Sequence, residues 1–213
     1  MVTESDLCAA VDAAFAVTGR GLAPWPDPHA GRSPLGHEYS RLTAPERWRI
    51  VGARADAWLA AVADLGLAAV EPQAEVAWAE PPPTEIARSA RAVPHAAGAL
   101  PLVVARSRIG PVADAGVTLG VGAPAVCVAW FPDCGCDACD WGSAEVLEDL
   151  DDHVLGVVSG TFRRLTDGSH EITVVRTGDW QASGPLEPAD VDAVVADPVG
   201  WDVLAGRPWF GAG

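Results

Sequence analysis

The pattern of apolar residues changes character near residue 70, and that change restricts the chain to folds that set helices against a sheet. Before it, apolar side chains recur every three or four positions; after it, they come mostly in short runs cut by glycine and proline. Residues Thr3 to Thr18 carry the first helical stripe, Leu7, Val11, Phe15 and Thr18, with Thr3 as cap and Gly19 as stop. The second stripe is stronger. Thr43-Ala44-Pro45-Glu46 has the form of a capping box with proline in the first turn. Trp48, Val51, Ala55, Trp58, Leu59, Val62 and Leu65 then share one face until Gly66. Between the two helices, Gly19 to Leu42 has no period, and a segment of that length is expected to be mobile or functional. It holds Trp25, His29, His37 and the single tyrosine, Tyr39.

Past Pro81-Pro82-Pro83, strands are predicted over Leu100 to Arg106, Val117 to Val121 and Ala125 to Phe131. The last is nearly continuous in apolar residues, as in a strand buried on both faces, with Cys127 inside it as a small hydrophobe. Ser143 is the expected cap of a helix with the stripe Val146, Leu147, Leu150, Val154, Val157 and Val158. Glu145, Glu148, Asp149, Asp151 and Asp152 are expected on its solvent face. Phe162 to Thr166 and Ser169 to Val175 flank Asp167-Gly168 as a hairpin. A two-residue loop would set Arg164 opposite Glu171, and a three-residue loop would set Arg163 there. Ala182 to Asp190 is predicted as a loop and Ala189 to Ala196 as a short helix, while Trp201, Trp209 and Phe210 are expected to dock on the body. The expectation is one α+β domain over residues 1–213. Its helical part is 1–70, and its sheet-rich part, 71–213, is a mainly antiparallel sheet interrupted by one helix.

Composition narrows the classes of partner. The chain has 14 basic and 29 acidic residues, a net charge of −15, and every basic residue is arginine. Such a surface repels nucleic-acid phosphates and anionic membranes, and favours cations or a basic protein partner. The sequence starts with acidic residues where a secretory leader would be basic, and no apolar run approaches the ~18 residues of a membrane span. The cytosol is therefore the expected compartment, and thiols there stay reduced.

Three of the five cysteines fall within six residues, in Cys134-Gly135-Cys136-Asp137-Ala138-Cys139-Asp140. Thiolates at this spacing can reach one soft ion, and zinc takes four ligands. The expected set is Cys134, Cys136, Cys139 and His153, with Cys8, His170, a nearby aspartate or water as other sources of the fourth. An iron–sulfur or other soft-metal site, a redox pair at Cys136 and Cys139, and free thiols in an ordinary turn are the alternatives. The ring of Asp133, Asp137 and Asp140 favours a cation over a reactive thiolate. Elsewhere no Gly-x-Ser-x-Gly elbow, Walker loop or His-Glu-x-x-His motif occurs, and the cysteines lack the partner motif of a zinc deaminase. Gly120-Val121-Gly122-Ala123-Pro124-Ala125 matches a dinucleotide fingerprint only on paper. Proline and a strand follow it instead of a helix, so a tight turn is expected.

The run Phe131-Pro132-Asp133-Cys134-Gly135-Cys136-Asp137-Ala138-Cys139-Asp140 resembles the hallmark of an uncharacterised family from high-GC actinobacteria, and Tyr39-Ser40-Arg41-Leu42-Thr43 is similar as well. Alanine-, glycine- and proline-rich composition without lysine or asparagine agrees with such a genome. The resemblance covers most of the chain, implies no activity, and marks the cysteine loop and the Tyr39 segment as the places to test. The function expected from the residues is zinc binding in a cytosolic binding protein. The alternatives are a metal-assisted hydrolase or thiol oxidoreductase using the same cysteines, and an acidic antidote to a basic toxin.

Overall fold

The computed structural model describes residues 2–176 and 179–211. Among the described residues the architecture is α+β: four α-helices and two antiparallel sheets. Helix α1 (Glu4–Thr18) begins at Thr3, whose hydroxyl accepts from the Asp6 amide at 3.1 Å while the Asp6 carboxylate accepts from the Thr3 amide at 3.0 Å. That reciprocal cap satisfies two otherwise orphaned donors.

Helix α2 (Arg49–Asp64) buries the expected stripe, and Trp48, Val51, Trp58 and Val62 lie in the main core with Leu7 and Val11 of α1. Each such side chain contributes about 1.5–3 kcal/mol by leaving water. The entry to α2 differs from expectation. A 3-10 turn over Pro45–Trp48 precedes it, Ala44 is left-handed at φ 47°, and Thr43 does not cap. The Thr43 amide and hydroxyl both donate to Asp137 instead, so a distant carboxylate has won the group that local spacing assigned to the helix.

The first sheet runs β1 (Ala68–Glu71), β2 (Ile86–Pro94), β3 (Leu102–Ile109), β4 (Val112–Val121), β5 (Val126–Phe131), each antiparallel to its neighbour. Strands β1 and β2 escaped the sequence pattern. Between Ile86 and Val93 this second strand carries only Ala, Arg and Ser, with no run of β-branched residues, and pairing with β3 sets its state. The strands buried on both faces are β3 and β4; Ala125 to Phe131 forms the edge, half-buried along most of its length. An apolar run is therefore no guarantee of a central place. Residues 77–79 cover the start of this edge through a single parallel bridge, Trp78 to Ala125. The turn into β5 is tight as expected, with Gly122 at φ 91°.

Helix α3 (Ser143–Ser159) links the two sheets and packs on α2, β5 and β7 (Glu171–Arg176). Its cap residue is Gly142, not Ser143. Asp151 is also not a solvated residue: it accepts from Arg54 Nη2 and Trp58 Nε1, both at 2.6 Å, joining α3 to α2. Arg54 reaches Asp12 of α1 as well, at 2.8 Å.

The second sheet has the order β8 (Asp179–Ser183), β7, β6 (Arg163–Thr166), β9 (Asp202–Ala205). The helix predicted near Ala189 is α4 (Pro188–Ala196), and its Val191 joins Leu165, Ile172 and Val174 in a separate small core. In the hairpin Thr166 faces Glu171, so residues 167–170 form a four-residue loop and neither expected register occurs. The ion pair survives diagonally, Arg164 to Glu171 at 2.5 Å, because residues two apart share a face. Trp209 docks as expected, buried with its amide donating to the Val158 carbonyl at 2.9 Å, and Phe210 packs against the main core. No helix among the described residues is long and apolar enough to cross a membrane.

Candidate metal centre

The cysteine loop spans the gap between the end of β5 and the start of α3, and its two central aspartates fix it to the long N-terminal segment. Asp137 accepts from the Thr43 amide and hydroxyl at 2.7 Å each and from Arg41 Nε at 2.5 Å. Burial works against the charge on Asp137, but these hydrogen bonds and the Arg41 cation outweigh it and hold the pKa below the usual carboxylate range. Asp140, wholly buried, accepts from Trp25 Nε1 at 2.9 Å and the Gly142 amide at 2.9 Å, and pairs with Arg47 at 2.6 Å. His29 Nε2 meets the Asp137 carbonyl at 2.8 Å, and Trp25 exchanges hydrogen bonds with Ser143 through both main-chain groups. Gly142 is required at the junction. Its φ is 91°, and a Cβ there would lie 2.6 Å from the Asp27 amide nitrogen.

Gly19 to Leu42 is thus a clamp over the loop rather than a free connection. The functional acids that spacing suggested are mostly consumed by it. Asp137 and Asp140 are each neutralised by an arginine, and of the three only Asp133 stays exposed and unpaired among the described residues. The expectation that acidic surroundings disfavour a thiolate does not hold here, because Arg41 and Arg47, distant in sequence, cancel two of the three charges.

With the carboxylates turned away, the three thiols are left facing one another. The Sγ atoms of Cys134, Cys136 and Cys139 all lie within 4.8 Å of one another, with Cys134 and Cys136 at 3.2 Å. Burial opposes the Cys136 thiolate, yet hydrogen bonds from Cys134 and Cys139, and from the Cys139 and Ala138 amides, lower its pKa overall. The Cys139 thiol, donating into that group, is pushed up to about 12, with burial and the Cys134 contact adding to the effect. A cysteine eased toward its thiolate by two neighbouring thiols is part of a donor set that can exchange protons for a soft cation. The cluster could hold a metal ion.

Other nominated ligands lie apart from this group. His153 is buried on α3, its Nδ1 2.8 Å from the Asp149 carbonyl and its ring edge-on to Phe131. It lines the same cleft as Cys139 but does not join the adjacent sulfurs. Cys8 sits on α1, and His170 binds Asp167 at 3.0 Å in the hairpin loop between β6 and β7. Cys127, half-buried in β5, is pushed up to about 11 chiefly by burial. Sequence reasoning missed Arg41, Thr43, Arg47 and Trp25 as the residues that shape the loop. Only their place in the Tyr39 segment and at the start of the second helix hinted at it.

The site belongs to a chain with a recognised family. A model of a family of unknown function, DUF6226, matches residues 11–210. The chain belongs to the DUF6226 family. That match takes in the clamp, the cysteine loop and both sheets. No curated protein and no solved structure matches the chain.

Proposed function

We propose that this DUF6226 protein binds zinc through Cys134, Cys136 and Cys139, in a reducing compartment, and that the ion stabilises the turn from β5 into α3. The observation that carries the reading is the convergence of three sulfurs within 4.8 Å. Thiolates at a Zn–S distance of about 2.3 Å and tetrahedral angles lie about 3.8 Å apart, inside the 4.8 Å within which these three sulfurs lie. Soft sulfur donors select zinc or another soft metal over magnesium or calcium. Asp137 and Asp140 are committed to the clamp, so the fourth position falls to solvent or to a ligand. Residues 1–213 would act as one domain around this site.

Replacement with cobalt(II) tests the reading. The wild-type protein is expected to develop thiolate-to-cobalt charge-transfer absorption and the visible bands of a tetrahedral ion, and triple Cys→Ser is expected to show neither. Octahedral cobalt spectra without a thiolate band would remove the proposal.

A second reading rests on the 3.2 Å approach of Cys134 to Cys136 and the lowered Cys136 pKa. A thiol pair this close can pass two electrons and two protons to an external disulfide such as oxidised glutathione. It is distinguished by a mapped disulfide within the loop that forms reversibly in metal-free protein and fails to form once zinc is bound.

A further inference from the structure

We infer that the cleft between β5, the cysteine loop and α3 binds an organic cation, an ammonium or guanidinium group carried on an apolar body. The cleft encloses about 350 Å³, within the usual range for a small ligand. Its rim holds two tryptophans that are unusually open for their size, Trp130 at 37 % and Trp141 at 49 % exposure. Both are fixed rather than loose. The Trp130 indole donates to the Asp133 carbonyl at 2.9 Å, and Trp141 meets the His29 ring edge-on with centroids 6.0 Å apart. Both rings line the cleft, and a cation over an indole face is attracted by the ring quadrupole.

The charge lining the same cleft has one sign. Asp133, Glu145 and Asp149 line it, and no arginine does. The carboxylates of Asp133 and Glu145 have no ion-pair or hydrogen-bond partner among the described residues, whereas Asp137, Asp140 and Asp151 each have an arginine. The one group there able to become cationic is His153, and Asp149 already faces its Nδ1 at 3.2 Å. Trp48 forms part of the wall and is 2 % exposed. Phe131 and Val146 supply the apolar surface for the ligand body. The net charge of −15 steers a cation toward such a site.

The cation could arrive as a free amine or as an arginine or lysine side chain presented by a basic protein, since both offer the same chemistry. The inference stands apart from the metal. It uses the tryptophans and carboxylates, and the measurement below is made on chelated as well as zinc-loaded protein.

The test is a titration of tryptophan fluorescence and indole N–H resonances with phenethylamine, with its neutral counterpart 2-phenylethanol, and with a capped Gly-Arg-Gly peptide. The cations are expected to saturate the protein and the alcohol to bind at least roughly tenfold more weakly, with Trp141→Leu and Glu145→Gln each weakening the cations roughly three- to tenfold. Circular dichroism checks that both variants fold, and neither side chain supports the core. Tighter binding of the peptide assigns the cleft to a protein's side chain and tighter binding of the amine to a small molecule; either supports the inference. Equal affinity for the alcohol, no saturation by either cation, or cation binding indifferent to both variants would overturn it. Cation binding is expected to be the same in chelated and zinc-loaded protein, so its failure and the failure of the metal reading are read separately.

Discussion

Asp140, fully buried, and Arg47, half-buried, form an ion pair at 2.6 Å that joins the cysteine loop to the start of the second helix. Arg47 also lies over the rings of Trp25 and Trp48, at 5.1 Å and 5.5 Å from their centroids, so its side chain fills space as well as carrying charge. Removing Arg47 leaves the fully buried Asp140 carboxylate without compensation, whereas the Arg47 side chain is 24 % exposed. Arg47→Ala is expected to cost about 3–5 kcal/mol, and Asp140→Asn less, because the amide keeps an acceptor for Trp25. Urea denaturation of the two variants and the double variant checks this. A double variant as unstable as the sum of the singles would show that the pair is not coupled.

Gly52 is expected to tolerate no side chain, although it lies inside a helix where alanine is ordinarily better by about 1 kcal/mol. A Cβ there would sit 1.8 Å from Arg106 Nη1, and the guanidinium is held by the Gly52 carbonyl and by Asp56 at 2.6 Å. Overpacking of this kind costs about 1–3 kcal/mol, which outweighs the propensity gain. Gly52→Ala should therefore lower the thermal midpoint. Gly52→Ala combined with Arg106→Leu should recover less than the wild-type stability but more than Gly52→Ala alone. A stabilising Gly52→Ala would contradict the placement of Arg106.

The fold is legible where one element satisfies itself. The stripes of α1 and α2 and the place of the hairpin at Asp167-Gly168, though not its register, follow from spacing, and Thr3 caps as its neighbours dictate. It is illegible where a long-range partner decides. Thr43 looks like a helix cap until Asp137 takes its donors, and Asp151 looks solvated until Arg54 and Trp58 converge on it. The same holds at the site. Three cysteines in six residues mark it at once, but the fate of the aspartates between them depends on Arg41, Arg47 and Trp25, roughly a hundred residues earlier.

Glu38 ties down the clamp in a pH-dependent way. Its side chain, almost enclosed, accepts from Arg32 at 2.8 Å and from the Leu35 amide at 2.6 Å, and is held at about 2 rather than 4.5. A depressed folded pKa contributes stability above the unfolded value, and that contribution is lost as pH falls from about 4.5 toward 2. Proteolysis by pepsin within residues 32–41 is expected to accelerate across that window in the wild type. Glu38→Gln should be cut readily at pH 4.5 already. Cleavage that is independent of Glu38 would remove the carboxylate from this role.

The five thiols should separate by reactivity in metal-free, reduced protein. Cys136, with its lowered pKa, and exposed Cys134 are expected to alkylate first at pH 8. Cys127, pushed up to about 11, and Cys8, raised by burial and by Glu4, should lag at least roughly tenfold. Prior addition of zinc should protect Cys134, Cys136 and Cys139 and leave Cys8 and Cys127 unchanged. Mass spectrometry of labelled peptides reads both outcomes, and equal labelling of Cys127 and Cys136 would contradict the burial that separates them.

Elemental analysis of protein purified without added metal is the most direct measurement. It is expected to find about one zinc per chain in the wild type and none in triple Cys134→Ser, Cys136→Ser, Cys139→Ser protein that circular dichroism shows to be folded. Fully folded wild-type protein that carries no metal, and that takes up none when zinc is offered under reducing conditions, would contradict a metal-binding role for the cysteine loop.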